Sequence, residues 1–244
     1  MFCIKPISRI LNPCTLSTES YMIRGTNKPM QHQRSLFSLE DFPPSFDLNK
    51  GALPAFSPTA SKFHYYEVFS KRIQDLNSMI KDTPLADKSL EQIAKQTKET
   101  LIKDEQDEHF EQIHFLACEV WNHAFLFSRL SSTKAPLPAP IVYQLDAHFG
   151  GLERFRFVAS EMAEAIHGSG WVWLVDRDDN WELKCYWNGQ SPLVDTVIPL
   201  VPIDCWEHAY YRDYGTNKSG YAADSISAVD WQCVLEAWKK NRQA

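Results

Sequence analysis

The chain has 244 residues, of which 44% are hydrophobic, and its formal net charge is −6. This length allows one large domain or two small ones with an ample core, and the composition excludes an intrinsically disordered protein. No apolar run is long enough to cross a bilayer, and an acidic chain repels nucleic acid unless it carries a local basic patch.

Residues 1–36 differ in charge from the rest of the chain. They contain five lysine and arginine side chains against a single acid, Glu19, together with many serine and threonine residues. A basic, hydroxyl-rich and acid-poor start is typical of an organelle transit peptide. We therefore expect the protein in the mitochondrial matrix; an N-terminal extension without a targeting role is the alternative.

Residues 37–134 are predicted to form an N-terminal helical hairpin domain. Prolines interleaved with phenylalanines up to Pro58 indicate an extended lead-in. Apolar residues then recur at steps of three and four over 61–79, which predicts a helix that carries His64. Further helices are predicted at 85–101 and 107–130, and the second of these carries His123.

Residues 135–244 are predicted to form an α/β domain with a three-stranded antiparallel sheet. Helices are expected at 141–148, 149–166 and 229–240, strands at 168–175, 181–187 and 195–201, and a polar connector around 213–221. Asp204 follows the third strand, and His208 lies four residues later. On a helical turn this spacing places both side chains on one face, where they reach a single metal ion, although most such pairs are surface contacts.

Four strings resemble motifs of the iron/manganese superoxide dismutase family. They are D-x-W-E-H-A-Y-Y at 204–211, W-N-H-x-F at 121–125, G-S-G-W-x-W-L-V at 168–175, and the helix at 64–77. The resemblance covers about residues 45–240 and implies the α+β fold of that family. It also implies one Fe (or Mn) ion per chain, with the ligands His64, His123, Asp204 and His208.

The surroundings of the implied metal depart from the family's pattern. Val68 and Arg72 stand where the resemblance implies a histidine and a gateway tyrosine. Glu119 stands where iron enzymes carry the glutamine that hydrogen-bonds metal-bound solvent, and the manganese-type position falls at Gly189. A carboxyl group donates a hydrogen bond only when it is protonated, and one hypothesis pairs Glu119 with Arg72 in a salt bridge. The outer aromatic residue Trp171 is kept.

The resemblance also implies a dimer. Glu207 and Tyr211 match family residues that reach across the dimer interface, although the usual partner of Tyr211 is the histidine replaced by Val68. The second chain is either an identical copy or a dismutase-like paralogue.

Two functions remain open at this stage. The altered residues and the basic N-terminal stretch favour a structural subunit of the mitochondrial small ribosomal subunit, in contact with ribosomal proteins and rRNA. Such a subunit is inactive or weakly active, and its metal could be absent. The alternative is an active mitochondrial Fe (or Mn) superoxide dismutase that converts superoxide to oxygen and hydrogen peroxide, and the intact ligand set favours it.

Overall fold

The computed structural model describes residues 36–103 and 107–242. Residues 1–35 hold nearly all of the predicted transit peptide and lie outside the described ranges, as do 104–106 and 243–244. The transit peptide therefore stays a prediction. Within the described ranges, no helix combines the length and the apolar character needed to cross a membrane.

The N-terminal half opens with one long helical element in three parts. They are α1 (Pro58–Phe63), a π-helical turn (His64–Phe69, called here the π segment) and α2 (Ser70–Ile80). The Ser57 side chain accepts a hydrogen bond from the backbone N–H of Ala60, and Pro58 occupies the first helical position, so the start is capped. The predicted helix at 61–79 is therefore present, but a wider turn interrupts it.

The helix α4 (Glu108–Arg129) forms the centre of the molecule, with α3 (Leu90–Lys103) and α2 packed against it. Every residue from Leu116 to Arg129 is buried, because helices cover one side of α4 and the C-terminal sheet covers another. The extended lead-in is fastened to its end, where the Ser45 hydroxyl donates to the carbonyls of Phe127 and Leu130.

The C-terminal half contains a three-stranded antiparallel sheet and five helices within the described residues. The elements are α5 (Ala139–Phe149), α6 (Leu152–Ala165), β1 (Gly170–Arg177), β2 (Asn180–Trp187), β3 (Ile198–Asp204), α7 (Glu207–Tyr214), α8 (Lys218–Ser227) and α9 (Trp231–Asn241). The strand order is β2-β1-β3. The predicted α+β fold is therefore confirmed, whereas the proposed domain boundary at 134/135, which falls between α4 and α5, stays a prediction.

The central strand β1 is buried on both faces. Trp171, Trp173 and their neighbours Val172 and Leu174 are all at most 1% exposed. Trp173 stacks on Trp121 of α4, with ring centroids 5.6 Å apart, so the sheet and the central helix share one core. Burial on both faces explains why this strand shows no polar residue between Trp171 and Val175.

Two sequence predictions are wrong in this half. The segment around 213–221 was expected to be a polar connector, yet α8 begins at Lys218, where the Asn217 side chain caps the backbone N–H of Gly220. The third strand spans 198–204 rather than 195–201. Asp195 precedes it and accepts hydrogen bonds from the Tyr186 hydroxyl and the Lys184 ammonium. Its side chain therefore ties the segment before β3 to strand β2.

Candidate metal centre

Four potential ligands from four different elements converge on one point. His64 is the first residue of the π segment, His123 lies on α4, Asp204 ends β3, and His208 lies in the first turn of α7. Their donor atoms all lie within 4.8 Å of one another. His64, His123 and Asp204 are at most 1% exposed. The structure therefore brings together every ligand that the sequence resemblance implies.

The way Asp204 and His208 meet differs from the prediction. The predicted place of Asp204 at the end of the third strand is confirmed, but the two residues do not share a helical turn, because Asp204 is extended backbone and Trp206 is the residue that precedes α7. The Oδ1 atom of Asp204 accepts from the backbone N–H of Trp206 at 2.9 Å, which fixes the turn between strand and helix. Its other oxygen, Oδ2, then lies 3.1 Å from Nε2 of His208.

Four of the six donor–donor distances match those expected around a single first-row metal ion. Asp204 Oδ2 lies 3.2 Å from His64 Nε2 and 3.7 Å from His123 Nε2, and the Nε2 atoms of His123 and His208 are 3.4 Å apart. Two atoms that are each about 2.1 Å from one ion lie about 3.0 Å apart at a right angle and about 3.6 Å apart at 120°. These four distances fall in or next to that range.

The imidazole hydrogen bonds leave ring nitrogens free to face the ion. Nδ1–H of His123 donates to the carbonyl oxygen of Glu119 at 2.7 Å, so Nε2 keeps its lone pair for the cluster. Neither ring nitrogen of His64 makes a hydrogen bond with any residue in the described ranges. A buried nitrogen without a partner is costly, and a bound cation removes that cost.

The electrostatics of the cluster favour a cation. Burial lowers the pKa of His64 and lowers that of His123 well below the usual value, so both rings are neutral. Burial alone would raise the pKa of Asp204, but His208 and His64 hold it well below its usual range. The result is a buried carboxylate facing the neutral imidazoles of His64 and His123, and with His208 the donor set suits iron or manganese.

Aromatic rings close the space around the cluster. Phe69 stacks on the His123 ring with centroids 5.7 Å apart, and Phe127 lies edge-on to His64 at 5.1 Å. Sequence reasoning missed both residues, although Phe127 follows His123 by four positions and therefore shares its helix face. Trp171 lies edge-on to His123 at 5.2 Å. These rings keep water away from the ligands.

Glu119 lies behind His123 and is hydrogen-bonded on one side only. Its Oε1 accepts from the indole N–H of Trp171 at 2.9 Å, whereas Oε2 has no hydrogen-bond partner among the described residues. Oε2 lies 3.8 Å from Nε of Arg72, which is ion-pair distance without a hydrogen bond. Burial, and then the charge of Asp204, raise the pKa of Glu119 to about 8, although a cation in the cluster would lower it again.

Gly189 leaves no room for the manganese-type glutamine. A Cβ added there would lie 2.5 Å from the ring of Phe115 and 3.1 Å from Cγ of Glu119. Among the described residues, the position beside His123 is therefore taken by the Glu119 side chain of α4. Asn122, a residue that the sequence analysis did not single out, fixes the same loop by donating to the carbonyl of Gln190 at 3.1 Å.

The residues implied at the dimer interface lie on the surface. Glu207 and Tyr211 face outward one turn apart on α7, and Tyr211 is 57% exposed. Val68 in the π segment is half-buried. This face is available to a second chain.

Comparison with known proteins agrees with the site. A family model described as iron/manganese superoxide dismutases, C-terminal domain, matches residues 138–237. An iron superoxide dismutase of Entamoeba histolytica is 32% identical over 75% of this chain and 90% of its own length. Those of Leptolyngbya boryana and Escherichia coli are each 30% identical over 79% of this chain, and over 96% and 95% of their own lengths. On these matches and this fold, the chain belongs to the iron/manganese superoxide dismutase family.

Proposed function

We propose that this chain is an iron (or manganese) superoxide dismutase that converts superoxide to oxygen and hydrogen peroxide. The observation that carries the proposal is the convergence of three imidazoles and one carboxylate within 4.8 Å, in a largely buried site walled by aromatic rings. The relatives described above are named iron superoxide dismutases, which supports the same activity.

The protein's part in this reaction is to hold and tune one ion. His64, His123, Asp204 and His208 would bind it, and the bound ion supplies one-electron redox chemistry. The negative charge of Asp204 partly offsets the charge of the cation, and the Glu119 carbonyl fixes the His123 ring by accepting its Nδ1–H. His64, His123 and Asp204 are buried, so these charges are screened less than they would be in water.

Glu119 is the residue placed to handle a proton beside the cluster. Because Trp171 donates to Oε1, the proton of a neutral Glu119 resides on Oε2. Only in that form does Glu119 have a hydrogen to donate, as the family's glutamine has. Trp171 acts as a positioning residue, and Arg72 lies on the outer side of the same carboxyl group.

A second candidate is the structural role in the mitochondrial small ribosomal subunit. The observation that favours it is the set of replacements beside the metal centre, with Val68, Arg72 and Glu119 at the altered positions. The relatives named above are enzymes, which favours the dismutase instead. The ribosomal proteins and rRNA named as partners stay a prediction.

We also propose a dimer and a mitochondrial matrix location. The exposed Glu207 and Tyr211 support a contact with an identical chain or a paralogue, and the composition of residues 1–36 supports import. Sedimentation equilibrium tests the first: a monomer at micromolar concentration contradicts it. A fluorescent fusion of the full chain tests the second: exclusion from mitochondria contradicts it.

The dismutase proposal is tested by metal content and turnover in one preparation. The full chain and two variants, His123→Ala and His148→Ala, are purified, and bound Fe and Mn are measured beside the rate of superoxide removal. His148 is a matched control, because it lies on α5 and contacts Gln144. We expect about one ion per chain and turnover in wild type and His148→Ala, and neither in His123→Ala.

The outcomes separate the two functions. Bound metal with turnover more than about a hundredfold below that of an ordinary dismutase favours the structural role. Absence of bound Fe and Mn from wild type contradicts the dismutase. Co-sedimentation with the mitochondrial small ribosomal subunit in high salt supports the ribosomal role, and loss of that association as salt rises indicates a non-specific contact.

A further inference from the structure

One buried nitrogen of the metal centre has a hydrogen-bonding need that an ion does not meet. His64 is 1% exposed, and neither of its ring nitrogens makes a hydrogen bond within the described ranges. Nε2 faces the cluster, 3.2 Å from Oδ2 of Asp204, so an ion would take the lone pair of that nitrogen. The neutral ring then carries its hydrogen on Nδ1, which is a buried donor without an acceptor.

The imidazole of His123 shows what His64 lacks. On His123, Nδ1–H donates to the backbone carbonyl four residues earlier, that of Glu119, at 2.7 Å. The matching carbonyl for His64 is that of Ala60, which accepts the backbone N–H of His64 but not its ring. The His64 ring is therefore without the backbone acceptor that orients His123.

A second unpartnered polar group lies one turn before this nitrogen. Ser61 of α1 is 1% exposed, and its hydroxyl makes no hydrogen bond to any described residue. His64 follows it by three positions with α-helical backbone angles, so the two side chains share a helix face with their Cβ atoms about 5–6 Å apart. Helical side chains lean toward the N-terminus, which brings the His64 ring over the turn that carries Ser61.

The Ser61 hydroxyl does not use the partner that a buried helical serine usually takes. Such a hydroxyl commonly donates to a carbonyl of the preceding turn, as that of Ser225 in α8 does to Tyr221 at 2.9 Å. The unpartnered groups of Ser61 and His64 are complementary, because a hydroxyl both donates and accepts whereas Nδ1–H donates. Their spacing is too long for a direct hydrogen bond and suits one bridging water, which would have two polar partners.

One other buried hydroxyl without a partner lies on this side of the metal centre. Tyr221 is fully buried, and its hydroxyl makes no hydrogen bond among the described residues. Its ring is edge-on to that of Phe56, with centroids 5.5 Å apart, and the Phe56 ring in turn lies 6.2 Å from that of His64. Because an apolar ring contacts both residues, Ser61 is the better partner for His64.

We propose that Ser61 holds one buried water molecule that accepts the Nδ1–H of His64, and that Ser61 is thereby a positioning residue for this metal ligand. The bridge keeps the His64 hydrogen on Nδ1, so the lone pair of Nε2 stays directed into the cluster. The water site stands on the two unpartnered groups alone. Its effect on the metal rests on the proposed function.

The water site is tested by high-resolution crystallography of the protein as purified and of three variants. Ser61→Ala removes the hydroxyl. Ser225→Ala is a matched control, because Ser225 is also a buried helical serine, 4% exposed, but bonds within its own helix. We expect a water peak about 2.7–3.2 Å from both Ser61 Oγ and His64 Nδ1 in wild type, Ser225→Ala and Tyr221→Phe, and no such peak in Ser61→Ala.

Histidine side-chain nitrogen-15 NMR of the metal-free protein covers variants that do not crystallise. We expect wild type and Ser225→Ala to show His64 with its hydrogen on Nδ1. In Ser61→Ala, exchange of that hydrogen with solvent should be about tenfold faster, the equivalent of one lost hydrogen bond. Ser61→Thr keeps a hydroxyl and should restore slow exchange. A wild-type map without the water, a peak that persists in Ser61→Ala, or equal exchange in Ser61→Ala and wild type would overturn the proposal.

The effect on the metal has its own measurement. In a competition between the protein and a chelator for Mn²⁺, Ser61→Ala should bind the ion about 10–100-fold more weakly than wild type, whereas Ser225→Ala and Ser61→Thr should not. Equal affinities overturn the positioning role. A wild-type chain that binds no Fe or Mn contradicts the dismutase instead, and the crystallographic and NMR results still decide the water site because neither depends on the metal.

Discussion

Asp204 is the anionic member of the four-donor cluster, and its replacement by asparagine separates the ligand role from a purely structural one. Asparagine keeps an oxygen that accepts from the backbone N–H of Trp206, so the turn into α7 is preserved. The variant loses the charged Oδ2 atom that lies 3.1 to 3.7 Å from the three imidazoles. We expect Asp204→Asn to remain folded and to lose its stabilisation by metal.

The size of that loss follows from the coupling between binding and folding. A ligand present at about 1,000 times its dissociation constant stabilises the native state by about 4 kcal/mol. For a chain of this length, 1 kcal/mol shifts Tm by about 2–4 °C, so chelation of the metal should lower the Tm of wild type by about 8–16 °C. Removing the charged partner of a buried cation costs about 3–5 kcal/mol. At most about 1 kcal/mol of stabilisation then remains, so the same chelation should shift Asp204→Asn by about 4 °C or less.

The assay is thermal unfolding with and without a chelator, followed by circular dichroism. Asp176→Asn is the control, because Asp176 is another buried aspartate, 2% exposed, that accepts from the indole of Trp238 rather than facing the cluster. This control should lose stability in both conditions and keep the full chelator shift. An equal chelator shift in Asp204→Asn and wild type would refute the assignment of Asp204 as a ligand.

Three further predictions concern the surroundings of the site and the sheet. Trp171→Phe leaves the Oε1 acceptor of Glu119 without its donor and should lower the free energy of unfolding in urea by about 1–3 kcal/mol. Gly189→Ala places a Cβ 2.5 Å from a phenylalanine ring of α4 and should cost about 1–3 kcal/mol in the same assay. Partial burial alone would raise the pKa of Asp195, but the Tyr186 hydroxyl and the Lys184 ammonium hold it below its usual value of 3.8. Its stabilisation is therefore present above that pH and is lost as pH falls through the folded pKa, so Asp195→Asn should flatten the acid limb of stability against pH.

Each of these three predictions has a control variant or a result that would contradict it. Trp173→Phe removes an indole N–H that has no hydrogen-bond partner among the described residues, so it should cost less than Trp171→Phe, and the reverse order contradicts the hydrogen-bond account. Wild-type stability in Gly189→Ala would mean that the Phe115 ring moves aside freely. If Asp195→Asn loses stability on acidification as wild type does, Tyr186 and Lys184 do not lower the pKa of this carboxylate in solution.

The four metal ligands could be identified from the sequence, because each lies in or next to a motif with large aromatic residues. His123 and Trp171 lie in strings that few other folds contain, and the structure places both residues where the resemblance implies. Asp204 was correctly placed at the end of the third strand, but the four-residue spacing to His208 was interpreted on a helical turn that the two residues do not share. A strand that ends in a side-chain-capped turn brings the same two groups together, and spacing alone does not distinguish these geometries.

Other features of the fold depend on side-chain contacts that the spacing of apolar residues in the sequence does not reveal. The segment before α8 contains Asn217, Ser219 and Gly220, residues typical of turns, yet Asn217 caps a helix whose buried face includes Tyr221. The altered residues Arg72 and Glu119 could be identified by position. Their separation of 3.8 Å without a hydrogen bond follows from the packing of α2 on α4 and could not be inferred from either segment.

The π segment has a consequence for how the metal site relates to the fold. A turn with i→i+5 bonds holds one residue more than an α-helical turn of the same length, and each residue advances a helix by about 100°. Deleting a single residue between Tyr65 and Val68 would restore a regular helix and swing His64 by roughly that angle, away from the other three donors. The helix would keep its length and much of its buried face. Deletion of one residue is thus expected to disrupt the metal centre while the helix keeps much of its packing.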